Sequence, residues 1–109
     1  MQRYTYMRLV DLDHYRKIFI GEFDSELLIK IMQTILAQVI ENPEFNNETE
    51  QKFIFDFLTV IQGTPSFSFS LEFLGTKERE LIHQVIKGLS LLPEDQQKSL
   101  AEVFQVWVN

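Results

Sequence analysis

Apolar residues recur at three- and four-residue spacing from Leu27 to Ile40. Leu27, Leu28, Ile31, Met32, Ile35, Leu36, Val39 and Ile40 share one stripe, while Glu26, Lys30 and Gln33 fall on the other side. That is the period of a helix with one buried face. Asp24 stands in front of it as an N-cap, where a carboxylate accepts from free backbone N–H groups. A second stripe of Phe53, Ile54, Phe57, Leu58 and Ile61 predicts another helix. Asn47 and Glu50 open it as an asparagine form of the capping box, and Gly63-Thr-Pro65 closes it. Between the two, Glu41-Asn-Pro-Glu-Phe-Asn-Asn47 reads as a loop, because Pro43 ends the preceding helix and asparagines favour turns. A third stripe, Leu81, Ile82, Val85, Ile86 and Leu89, follows Thr76 as cap, with Glu78 and Glu80 near the positive end of the helix dipole. Pro93, Glu94 and Asp95 open a last helix that turns Leu100, Val103, Phe104 and Trp107 inward. At the start of the chain, Arg3 to Val10 and Asp13 to Ile20 read as two short helical pieces. Asp11 or Asp13 would cap the second and Gly21 would close it.

One stretch carries two periods. Phe67, Phe69, Leu71 and Phe73 alternate with Ser68, Ser70 and Glu72, as in a half-buried strand. Read as a helix, Phe67, Leu71 and Leu74 form one face, and Phe69 with Phe73 another. A lone strand among helices has no partner for its backbone hydrogen bonds, so the expectation is a short helix. The whole chain then reads as all-α, a compact bundle of about five to seven short helices. Short connections favour antiparallel neighbours, and no internal repeat is evident.

Composition narrows the function more than the fold. At 109 residues the chain is expected to be one domain, residues 1–109. It has no cysteine, which removes disulfides, thiolate nucleophiles and cysteine-held zinc and is compatible with a reducing compartment. The net charge of -6 repels a phosphate backbone or an anionic membrane, and no helix clusters Lys and Arg as a nucleic-acid reader would. No nucleic-acid or membrane partner is expected. The N-terminus lacks the apolar core of a signal peptide, and Leu27 to Ile40 is too short to span a bilayer, so a soluble, cytoplasmic domain is expected.

Six of the ten phenylalanines lie between Lys52 and Leu81, a stretch poor in reactive side chains. Such a chain is suited to holding a partner rather than converting a substrate. Phe53, Phe57, Phe67 and Phe73 are expected in the core by stripe position. Phe55 and Phe69 sit off the main stripes and are candidates for an interface, where aromatic anchors are enriched. The remaining candidates have plainer explanations. His14 and His83 are far apart in sequence and read as surface or helix-end residues, not metal ligands. Asp11 with Asp13, and Glu78 with Glu80, are accounted for by capping and dipole compensation. Lys77 and Arg79, like Arg16 and Lys17, could rim an interface but read first as solvated charges. The four glycines, Gly21, Gly63, Gly75 and Gly88, lack phosphate-loop spacing. No cofactor, metal or catalytic residue is expected.

Tyr6-Met-Arg-Leu-Val10, Tyr15-Arg-Lys-Ile-Phe19, Phe23-Asp-Ser-Glu-Leu-Leu28, Ile54-Phe-Asp-Phe-Leu58, Phe67 and Phe73-Leu-Gly-Thr-Lys-Glu-Arg79 together resemble the C-terminal domain family of RNA-polymerase-II-associated protein 3. The order and spacing match over nearly the whole chain, with a longer loop from Glu41 to Gln51. That family includes a tetratricopeptide co-chaperone, sperm-associated antigen relatives and a coiled-coil factor for ciliary dynein assembly. The resemblance implies a helical, non-catalytic adaptor that docks on RuvB-like AAA+ ATPases and so brings chaperone and client together. It places the contact at the start of the short helix corresponding to Ser66 to Phe73. Where the family pattern has a basic residue, phenylalanine, an acidic residue and methionine, this chain has Ser66, Phe67, Ser68 and Phe69. The apolar pair is kept, and the charged pair is not. The partner-binding set expected from the resemblance is Ser66, Phe67, Phe69, Ser70 and Phe73. The chain also starts without the apolar and aromatic segment that usually precedes the first helix, so it is expected to be a piece of a longer adaptor. A monomer is favoured. The competing reading is a self-association module that pairs two copies through Phe55, or through Val106 with Val108. A small hydrolase or transferase would need a concave cluster of polar groups.

Overall fold

Asp24 takes an extended backbone conformation and its Oδ1 accepts the Leu27 N–H at 2.8 Å, which starts the central helix. The same device starts the next long helix, where Asn47 Oδ1 accepts the Glu50 N–H at 3.0 Å. The structure, a computed structural model, describes residues 2–22 and 24–106. Its elements are α1 (Gln2–Leu9), α2 (Leu12–Glu22), α3 (Ser25–Ile35), α4 (Glu48–Gln62), α5 (Phe67–Glu72), α6 (Thr76–Gly88) and α7 (Glu94–Val103). No strand occurs among the described residues, and the alternating stretch is the helix α5. The expected all-α bundle is what the chain forms.

The stripe from Leu27 to Ile40 is continuous in sequence but changes pitch in space. After Ile35 the chain widens into a π turn over Leu36–Ile40, closed by the Glu41 N–H on the Leu36 carbonyl at 2.9 Å. From this turn Gln38 Oε1 accepts the Tyr4 N–H at 2.9 Å, tying the open N-terminal end of α1 to the end of the central helix.

One core runs through the molecule. Leu28, Met32, Ile35 and Val39 from the central helix join Ile54, Phe57, Leu58 and Ile61 of α4, Ile82, Val85 and Ile86 of α6, and Leu100 and Phe104 of α7, all buried. Each such side chain contributes about 1.5–3 kcal/mol by leaving water. The central helix packs on α1, α5 and α6, α4 packs on α2 and α7, and α6 closes on α7. The radius of gyration is 12.9 Å, close to the roughly 13 Å of a fully collapsed chain of this length, so little of the chain stands away from the core.

Several local expectations are corrected. Gly21 lies inside α2, which runs on to Glu22. Thr76 is the first residue of α6 and not its cap. Gly75 holds the cap position, and Glu78 Oε1 accepts its N–H at 3.3 Å. The Asn47–Glu50 box is half made, because Glu50 turns its carboxylate to Tyr4 and Arg8 instead of back to the cap. Trp107 and Val108 lie outside the described residues.

Candidate functional site

The helix α5 is six residues long, too short to persist without tertiary support. Its backbone is closed by the Ser70 N–H on Ser66 O at 2.9 Å, the Phe73 N–H on Ser70 O at 3.3 Å and the Leu74 N–H on Leu71 O at 3.2 Å. One face carries Phe67, Ser70 and Leu71 into the bundle, all buried. The other carries Phe69 and Phe73 into solvent, 62 % and 65 % exposed. Their rings meet edge-to-face, with centroids 4.9 Å apart and planes at 72°. Arg79 Nη2 donates to the Leu71 carbonyl at 3.0 Å and so fastens the C-terminal end of α5 to α6.

Phe73 also forms one wall of a shallow groove shared with Leu74, Ser25, Glu26, Ile29 and Lys30. Lys30 is held by Glu26 across one helical turn at 3.4 Å, an exposed pair that lines the groove with Gln33 and Glu78 beside the apolar strip of Ile29, Phe73 and Leu74. Two rings left largely in water forgo much of the stabilisation their burial would bring, about 1.5–3 kcal/mol for a buried phenylalanine. Exposed aromatic side chains in mutual contact are a feature in which protein interfaces are enriched.

The five residues singled out in the sequence therefore divide between two environments. Phe69 and Phe73 are presented together to solvent, and Ser66 is half-buried at the start of the helix. Phe67 and Ser70 belong to the buried face. The expectation that Phe73 is core is overturned, because it stands one helical turn after Phe69 with its backbone still helical, on the face opposite Phe67 and Leu71. Phe55 is half-buried against the core, beside the exposed Leu91 in a separate groove with Lys52 and Pro93. Leu91 escaped the sequence reading, since the Leu91-Leu92 pair does not say which of the two is buried. Leu92 is the buried one.

The charged candidates take structural roles. Arg16 pairs with Asp13 at 2.7 Å, Asp11 accepts the Asp13 N–H on Oδ1 at 3.4 Å and the His14 and Tyr15 N–H groups on its carbonyl, and Arg79 clasps Leu71. His83 Nδ1 lies 4.0 Å from Glu80, and His14 is exposed. Among the described residues no three acidic or histidine side chains gather as a metal site, and no helix is long and apolar enough to cross a membrane.

A family model described as the potential Monad-binding region of RPAP3 matches residues 1–79, from α1 through α5 to the opening of α6. No curated protein and no solved structure matches the chain.

Proposed function

Because this chain belongs to the family of the potential Monad-binding region of RPAP3, a protein-binding family, we propose that it is a non-catalytic adaptor domain whose Phe69–Phe73 pair docks on a rigid protein of an assembly-factor or co-chaperone system. The observation that carries this reading is the exposure of both rings on a helix whose opposite face is locked into the core. Binding then needs little rearrangement, since α5 is already formed and the rings already touch, and the ordering cost that weakens flexible contacts is small. The preferred partner is a RuvB-like AAA+ ATPase, the partner implied by the resemblance at Ser66 to Phe73. The description of the family makes Monad the second candidate.

Titration of the domain with each purified protein separates them. Saturable binding to the ATPase that Monad does not displace supports the first, and binding to Monad alone transfers the role to the second. Saturable binding to neither removes both partners.

The groove of Phe55 and Leu91 favours a second reading, pairing of two copies of the domain. A mass that rises with concentration, and falls back in Leu91→Ser, supports it.

A further inference from the structure

We infer that Phe104 is a positioning residue for the docking helix, acting through Phe67 from outside the family-matched segment. Phe67 is the first residue of α5 and its deepest aromatic anchor. Its ring meets Phe104 edge-to-face, with centroids 5.2 Å apart and planes at 89°. Phe104 is fully buried and follows the last residue of α7. It therefore reaches α5 from a part of the chain some 25 residues beyond the match, which ends at residue 79.

The backbone around Phe104 is built to hold that ring in place. Phe104 caps α7. The Gln105 N–H bonds Glu102 O at 3.2 Å, and the Val106 N–H bonds Ala101 O at 2.9 Å. This is a Schellman closure, which requires a left-handed residue at its centre, and Gln105 takes it with φ 59. Gln105 is the one non-glycine residue with positive φ among those described, so this helix end holds a conformation that side chains resist. Val106 then folds back on the core. The rotation of Phe104 about α7 is thereby fixed, and with it the surface on which Phe67 rests.

Phe67, Ser70 and Leu71 set the rotation of α5, and that rotation decides whether Phe69 and Phe73 point outward together. With six residues, α5 has no length of its own to resist rolling or fraying. The contact at its N-terminal end is with α7, and the clasp at its C-terminal end is Arg79 on Leu71. α7 is thus a working part of the docking surface without touching a partner.

The consequence for binding rests on the docking role proposed above, whereas the consequence for α5 does not. Phe104→Ala and the bulk-retaining Phe104→Leu are compared with wild type by amide hydrogen exchange and by titration with the RuvB-like ATPase. The expected result is exchange at the Ser70, Phe73 and Leu74 amides faster by about tenfold or more, with α3 and α4 amides near wild-type protection in Phe104→Leu. Affinity is expected to fall in the same order, alanine below leucine below wild type. Unchanged α5 exchange in both variants overturns the inference, and so does an equal rise in every helix, which would mark Phe104 as general core. An ATPase that fails to bind wild type refutes the docking role, while the exchange result still decides what Phe104 does.

Discussion

The Tyr4 hydroxyl donates to Glu50 Oε1 at 2.6 Å, and the same oxygen accepts from Arg8 Nε at 2.9 Å, so one carboxylate joins both ends of α1 to the start of α4. The Arg8 guanidinium lies over the Phe53 ring, 4.3 Å from its centroid. Burial, then the hydrogen bond to Glu50 and its charge, hold the Tyr4 phenol protonated well above the usual tyrosine range. Burial pushes Tyr15 in the same direction. The folded chain thus keeps these protons more tightly than the unfolded chain, whose phenols ionise near pH ~10. The stability they confer is complete below that pH and is lost as pH rises above it. Tyr4→Phe is expected to cost about 1–2 kcal/mol at neutral pH and to soften the alkaline loss. Urea unfolding at several pH values checks this, and an unaltered alkaline slope in the variant would contradict it.

Gly88 is where α6 meets the π turn. A Cβ on Gly88 would run into the Ile40 side chain, at Cγ2. Alanine there would gain about 1 kcal/mol in helix propensity, yet the overpacking is expected to outweigh it and give a net loss of about 1–3 kcal/mol. Ile40→Ala in the same molecule should return part of that loss. A double-mutant cycle by thermal unfolding reads the coupling, and simple additivity would show that the two sites do not meet.

Gln51 is a buried amide with every polar atom engaged. Its Nε2 donates to Asn46 Oδ1 at 2.6 Å and to the Gly88 carbonyl at 3.3 Å, and its Oε1 accepts the Leu91 N–H at 2.9 Å. It pins the loop before α4 and the α6–α7 connection to one point. Gln51→Leu leaves those partners without it and is expected to cost about 1–3 kcal/mol or more. A variant as stable as wild type by chemical unfolding would mean that water replaces the amide freely.

Helical periodicity and caps were legible along most of the chain because Asp24, Asn47 and the three long stripes agree with one another. What was not legible depends on where elements stop. Phe73 is expected in the core with the other phenylalanines, yet its four-residue spacing from Phe69 puts both on the solvent face of α5, and which face the bundle covers is set by packing beyond the local pattern. Glu50 looks like half of a capping box, and it takes Tyr4, 46 residues away, as a stronger partner. Gln51 gives no local sign of burial, since two of its three partners, Gly88 and Leu91, lie 37 and 40 residues away. Alternation alone makes Phe67 to Phe73 a strand, whereas backbone hydrogen-bond satisfaction makes it the helix α5, and helical geometry then sets Phe69 apart from Phe67 and Leu71. Local pattern gives elements, and long-range polar contacts and chain turns decide the rest.

The two faces of α5 should respond oppositely to truncation. Phe67→Ala removes a buried ring packed on Phe104 and is expected to cost about 3–5 kcal/mol. Phe69→Ala and Phe73→Ala remove exposed rings and should stay within about 1 kcal/mol of wild type. Equal losses at all three positions by chemical unfolding would mean that the exposed rings are core after all.

The most direct test of the docking surface is calorimetric titration of the RuvB-like ATPase with wild type, Phe69→Ala, Phe73→Ala and the double variant, each first shown to unfold as wild type does. The account predicts that the wild type binds and that each single variant loses about 2 kcal/mol or more of binding energy, as central aromatic anchors do. It also predicts that the double variant does not bind. Wild-type affinity retained by the folded double variant would contradict it, because the partner would then be held somewhere other than the exposed face of α5.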